Sequence, residues 1–235
     1  VCTINTAAAG AVFTVQNAFR MLVNSSVPDQ HIADLAFNMG DGTNVWASTA
    51  ALTLNAPVFS FSELIVDDAA GNGNGILDPG ETANLVLNTT NSGHADAYNT
   101  VCTLSAMGSS TAYIIVNNPT ITINTVAPGT TQQALFSVVT NIITPPQTTV
   151  DMRCRVTAGM QSQYSYQEMQ ELVIGGTASI NISNGNMNTC NARFYDSGGE
   201  AANYGVNEDY VMTFYPGITG AKVKYSFNSF AVEQN

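Results

Sequence analysis

Apolar and polar residues alternate along most of this chain with a period of two. In "IADLAFNM" (32–39), "NVWASTAALTLN" (44–55), "ANLVLNTTN" (83–91), "TVCTLSA" (100–106), "ALFSVVT" (134–140) and "VDMRCRVTA" (150–158), apolar side chains recur at every second position. That period is the mark of a half-buried strand, because successive strand residues point to opposite faces. "AVFTVQ" (11–16), "FRMLVN" (19–24), "AYIIVN" (112–117), "ELVIGG" (171–176), "YVMTFYP" (210–216) and "AKVKYSFNSF" (221–230) read as strands too. Gly, Pro, Asn and Asp break the runs about every eight to twelve residues, the spacing of antiparallel sandwiches. The nearest approach to a helix is "VPDQHIADL" (27–35), and its "VPDQ" reads better as a turn.

The punctuation divides the chain into three blocks. Residues 1–56 hold four expected strands, half the complement of a sandwich, and Pro57 opens a linker. Residues 57–176 hold a full set. Residues 177–235 begin a third unit and stop short. Each half would leave an apolar sheet face in water, which is unfavourable. The expectation is therefore an all-β chain of tandem antiparallel β-sandwiches, cut from a longer product at both ends. Its first residues, "VCTINT", have neither the basic n-region nor the apolar h-region of a signal peptide.

Charge narrows the partners. The net charge is −11, with six Lys plus Arg among 235 residues. Nucleic acid and anionic membranes both need basic patches, so neither is expected as a partner. No apolar run is long enough to insert in a bilayer as a helix. The polar, lysine-poor surface points to an extracellular or cell-surface location.

Against this sparse background the stretch "DDAAGNGNGILDPGE" (67–81) gathers Asp67, Asp68, Asp78 and Glu81. Numbering Ala70 as position 1 of a calcium loop puts Asn72 at 3, Asn74 at 5, Gly75 at 6, Ile76 at 7, Asp78 at 9 and Glu81 at 12. This is most of the D-x-[DN]-x-[DN]-G-x5-E spacing. Short oxygen-bearing side chains alternate inward, Gly permits the sharp turn, Ile76 offers its carbonyl, and the distant Glu offers two oxygens. Ala70 carries no ligating oxygen, so Asp67 or Asp68 must reach in from the preceding strand. The flanks alternate as strands, which excludes a helix-loop-helix sensor. The expected cofactor is structural Ca2+, held by Asp67, Asp68, Asn72, Asn74, Ile76, Asp78 and Glu81. The bland alternative is an Asn/Gly turn with solvated carboxylates.

The stretch from Asp67 to Ser105, "DDAAGNGNGILDPGETANLVLNTTNSGHADAYNTVCTLS", resembles the Ig-like β-sandwich modules that follow the catalytic domain in secreted Bacteroidetes peptidases, both gingipain-like and subtilisin-like. Ala56-Pro57, Asp67-Asp68, Asn72 to Glu81 and Asn91 to Gly93 occur in the order of that family, and the resemblance covers about residues 10–175. It implies that 1–56 is the C-terminal half of one Ig-like sandwich and 57–176 a complete second one.

"FYDSGGEAANYG" (194–205) contains Asp196-Ser197-Gly198-Gly199, a string similar to that around a trypsin-like nucleophile. A serine nucleophile needs a base and an orienting group. The two histidines, His31 and His94, sit in no such context and read as surface residues. Thr189 to Asn235 instead resembles the N-terminal half of a CUB domain, through Cys190, the Asp196–Gly199 turn, Tyr204, Tyr210, Phe214, Pro216, Phe227 and Phe230. The resemblance implies a calcium-ligating role for Glu233 and a partner for Cys190 further downstream. It also implies protein or glycan contacts.

Cys102 and Cys154 lie in expected strands of one sandwich. A disulfide between them would contribute roughly 3–4 kcal/mol in the chain-entropy model; two buried free thiols are the alternative. Trp46 is expected in core or sheet-edge packing. Tyr164, Tyr166 and Tyr204 could form a sugar-stacking platform, though packing is the commoner use of such residues. An enzyme using Asp67, Asp78 and Glu81 would need a cleft and separated pKa values, which an Asn/Gly-rich loop does not supply. The expected function is a non-catalytic extracellular module array, a calcium-rigidified spacer or adhesive region of a peptidase-associated surface or secreted protein. Its partners would be other domains of the same protein, further copies, or a cell-surface protein or glycan. The competing reading is a subunit of an extracellular filament built by intermolecular strand pairing.

Overall fold

The structure is a computed structural model that describes residues 2–4, 8–217 and 220–228. The chain forms two compact units, Val1–Ala56 and Pro57–Asn235. In the first, β1 (His31–Gly40) and β2 (Val45–Leu54) form an antiparallel hairpin in register from His31↔Leu54 to Gly40↔Val45. The turn is closed by Asp41, whose carboxylate accepts the N–H groups of Asn44 at 2.7 Å and Thr43 at 2.9 Å. Those bonds hold its carboxyl below the usual range. Two of the four expected strands are absent here: 11–16 and 19–24 join no ladder. Alternation makes a strand only where a neighbouring edge supplies hydrogen bonds.

The second unit continues with β3 (Phe59–Phe61), β4 (Ile65–Asp67), β5 (Thr82–Asn91), β6 (Ala97–Ala106), a 3-10 turn (Gly108–Ala112) and β7 (Ile114–Val116). Then follow β8 (Thr120–Val126), β9 (Thr131–Thr140), β10 (Thr148–Ala158) and β11 (Tyr164–Ile174). One sheet has the order β3-β5-β9-β7, with β4 also on β5; the other has the order β11-β10-β6-β8. Strands β3, β4, β5, β7 and β9 thus share one layer and β6, β8, β10 and β11 the other, the Ig-like Greek-key arrangement. The strand β8, "TITINTV", has no counterpart among the expected strands. Its alternation is carried by threonines, and a register shift near Thr100 fits it to β6.

Between the layers Leu85, Leu87, Leu104, Phe136, Val138, Val150, Met152 and Val156 are fully buried. Each such side chain contributes about 1.5–3 kcal/mol relative to exposure. Cys102 and Cys154 join this core as free thiols, correcting the expected disulfide. Cys154 pairs with Leu104 and Cys102 with Val156. The two cysteines are therefore diagonal neighbours, at a Cα separation of about 7–8 Å, beyond the usual span of a bridge. Tyr164 and Tyr166 pack on the core, and Tyr166 lies 5.2 Å from Phe61, so these two are packing residues and no sugar platform.

Past Ile174 the chain forms β12 (Ala178–Asn181), β13 (Gly185–Thr189), β14 (Ala192–Tyr195) and β15 (Met212–Pro216). They pair as β12-β14 and β13-β15, both parallel, where antiparallel pairing was expected. Residues 221–228 of the last expected strand join no ladder. Phe230 and Glu233 lie outside the described residues.

Candidate metal centre

The acidic loop is the connection from β4 to β5. Those strands pair from Ile65↔Val86 to Asp67↔Asn84, so both loop ends leave the sheet side by side. Leu77 is buried without exposure and its carbonyl accepts Gly175 N–H at 2.8 Å, which staples the loop to the sandwich. Consecutive residues point to opposite faces at the strand end. Asp68 turns inward and is buried, and its Oδ2 accepts Gly75 N–H at 2.9 Å. The carboxylate of Asp67 accepts only the local Ala69 N–H among the bonds described, at 3.4 Å.

Glu81 closes the loop. Its Oε1 accepts Asn72 N–H at 3.1 Å and its Oε2 accepts Asp78 N–H at 2.8 Å. A Cβ on Gly71 would collide with Glu81 Oε1, so glycine is what lets the carboxylate reach the loop backbone. The side-chain amides of Asn72 and Asn74 each donate to Asp78 Oδ2 at 2.9 Å. Their own oxygens accept N–H groups two residues on: Asn74 to Asn72 Oδ1 at 3.1 Å, Ile76 to Asn74 Oδ1 at 2.7 Å. Thr140, on β9, accepts Glu81 N–H at 3.0 Å and donates to the Asp78 carbonyl at 2.5 Å.

Asp78 is 2% exposed, and its buried Oδ1 accepts no N–H or O–H; among the described residues, only the Cys190 thiol faces this carboxylate besides the two amides on Oδ2. A buried carboxylate oxygen without a partner is unfavourable by more than a typical unsatisfied amide. Burial pushes the Glu81 carboxyl up, and the charges of Asp78 and Asp68 add to this against the backbone N–H bonds. The site thus concentrates negative charge met by neutral amides. Among the described residues, no three His, Cys, Asp or Glu side chains gather as a ready metal cluster. Asp68, Asp78 and Glu81 are instead held apart by the amides threaded between them.

A polar cleft of about 400 Å³ is lined by Gly71, Asn72, Asp78 and Glu81 and also by Asn188, Pro216 and Gly217. Asn74 Nδ2 also donates to Thr189 Oγ1 at 3.2 Å and to the Asn188 carbonyl at 3.5 Å. The Cys190 thiol is pushed up to about 11, by burial first, then by the charge of Asp78 and a hydrogen bond to its carboxylate, and last by the charge of Glu81. Thr140, Thr189 and Cys190 carry no signal of this neighbourhood in the sequence, because strand pairing alone brings them here.

The other sequence candidates are structural in form. The Ser197 hydroxyl donates to Glu208, and Asp196 accepts Gly198 N–H at 2.9 Å, a tight turn with no histidine among its described bonds. His31 opens β1 and His94 lies between β5 and β6, both exposed.

No protein-family model matches the chain, and no curated protein does. Solved structures do. Native α-2-macroglobulin from Escherichia coli, from domain MG7 to the C-terminus, is 12% identical over 54% of this chain and 17% of its own, with a TM-score of 0.34. A FixG-related protein from Vibrio parahaemolyticus is 11% identical over 49% of this chain and 95% of its own, at 0.31. The major pilin subunit BcpA of Bacillus cereus is 12% identical over 67% of this chain and 53% of its own, at 0.31. The assignment of the sandwich rests on its own strand order.

Proposed function

We propose that the chain is a non-catalytic extracellular β-module array whose Ig-like sandwich is stiffened by Ca2+ at the β4–β5 loop. The observation that carries this is the buried Oδ1 of Asp78, reached by no N–H or O–H and set beside the carboxylates of Asp68 and Glu81. A hard dication with six to eight oxygen ligands suits that inventory. Asp68, Asn72, Asn74, Asp78, Glu81 and the Ile76 carbonyl would hold it. Asp67, turned to Ala69, is the least suited of the expected ligands. The ion supplies charge neutralisation and a cross-link across the loop, with no chemistry on a substrate. The remaining features of the reading are extracellular placement, attachment to a larger, peptidase-associated protein, and a CUB-like third module. They rest on the residue resemblances and the polar, lysine-poor composition.

The test is thermal melting of the intact chain in calcium and in excess chelator, beside Asp78→Asn. At free calcium of about 100 times Kd, binding adds about 2.7 kcal/mol to stability. Calcium is expected to raise the wild-type midpoint by several degrees and to leave Asp78→Asn nearly unmoved. Equal wild-type midpoints in both buffers overturn the reading.

A filament subunit is the second reading. What favours it is the β1–β2 hairpin, whose strands each have one edge unpaired among the described residues, with Ile32, Met39, Val45 and Trp46 all more than half exposed.

A further inference from the structure

We propose that the same loop is a latch: an ion at Asp78 holds the segment Asn188–Cys190, and through it the β13–β15 pair, against the sandwich. This rests on the calcium reading. The latch is carried by Asp78 Oδ1, buried in a residue 2% exposed and reached by no N–H or O–H, beside a cleft that Asn188, Pro216 and Gly217 also line.

One side chain links the two halves. The Asn74 amide donates at once to Asp78 Oδ2 at 2.9 Å and to Thr189 Oγ1 at 3.2 Å, with the Asn188 carbonyl at 3.5 Å. Whatever fixes Asp78 and Asn74 therefore fixes the end of β13. That end is shared, because Thr189 pairs with Pro216 on β15 and its carbonyl accepts Gly217 N–H at 3.0 Å. The loop backbone grips the connection to this segment as well. The Leu77 carbonyl takes Gly175 N–H, and Ile76 lies against Gly176. Between Ile174 and Ala178 the linker is three residues, Gly175 to Thr177, too short to let β12 leave far from the loop.

An ion would neutralise the carboxylates that repel one another here and immobilise Asn74 as a bridge. Because coupling is reciprocal, docking of Thr189 must tighten the ion by the factor with which the ion tightens docking. The cleft is then the seam of a calcium-dependent joint between consecutive modules, with the following segment of the same chain as its partner.

The experiment is hydrogen exchange with mass spectrometry on the intact chain, with and without Ca2+, paired with calorimetric titration by Ca2+ alone. Wild type and Thr189→Val are compared. Calcium is expected to slow exchange in 185–189 and 212–217 by about fivefold or more, and Thr189→Val to weaken calcium binding by a similar factor. Slowed exchange in the loop alone, with unchanged affinity in Thr189→Val, overturns the latch and leaves the calcium reading standing. No heat of calcium binding in wild type overturns both.

Discussion

At the scale of single residues, Asn91 and Cys154 show how buried polar atoms are handled in this core. Asn91 ends β5 without exposure. Its amide donates to the Ala95 carbonyl at 2.8 Å and the Val126 carbonyl at 3.0 Å, and its Oδ1 accepts Val58 N–H at 3.1 Å and Gly93 N–H at 3.0 Å. One side chain thus satisfies four backbone groups from three places in the chain. Asn91→Ala orphans them at about 1–3 kcal/mol for each group that water cannot reach. A loss of at least about 3 kcal/mol in urea unfolding is expected; a loss below 1 would mean that the knot is solvated. Cys154 behaves oppositely. Burial, with Glu168 and Cys102 adding to it, pushes its thiol from 9.0 up to about 12. The folded state therefore keeps a proton that the unfolded chain releases above pH 9. Stability linked to this group is fully present below pH 9 and is lost as pH rises towards 12. Urea midpoints measured across that window are expected to fall less steeply for Cys154→Ala than for wild type. Parallel profiles would remove the assignment.

At the scale of elements, burial follows the partner available to each strand. Strands β5 and β10 alternate buried and open positions because the opposite layer covers one face of each. Phe136, fully buried on β9, sits where the layers meet. Phe136→Ala is expected to lower stability by about 3–5 kcal/mol, read from the shift in the denaturant midpoint. Strand β2 has the same alternation and nine exposed positions out of ten. Trp46, the sole tryptophan, is 52% exposed on it, outside any core and on the edge strand of a two-stranded sheet. Its fluorescence is expected to be red-shifted and quenched by acrylamide in the folded protein almost as in the unfolded one. A blue-shifted, protected Trp46 would mean that another surface covers the hairpin.

At the scale of the whole molecule, the sandwich is the self-sufficient part, and the hairpin and the β12–β15 segment are two-stranded pieces of low intrinsic stability. The spacer and filament readings differ in how those pieces are completed. Intermolecular strand pairing predicts mass that grows with concentration. Sedimentation from micromolar to hundreds of micromolar chain is expected to show one monomeric species under the spacer reading, whereas growing oligomers would favour the filament.

Local periodicity determined the all-β class, most long strands and the acidic turn, because strand alternation and turn chemistry are properties of neighbouring residues. It also located Asp68, Asn72, Asn74, Asp78 and Glu81, whose spacing is what lets one short loop fold onto itself. What it could not contain were facts of pairing between distant segments. The free state of Cys102 and Cys154 depends on a diagonal register between β6 and β10. The unformed strands at 11–16 and 19–24, and the exposure of Trp46, depend on the lack of a covering partner edge or face among the described residues of their unit. The approach of Thr140, Thr189 and Cys190 to the loop depends on where β9 and β13 end in space. Tertiary structure decided these points because hydrogen-bond ladders and burial are set by which surfaces meet, and residues far apart in sequence carry no local trace of that meeting.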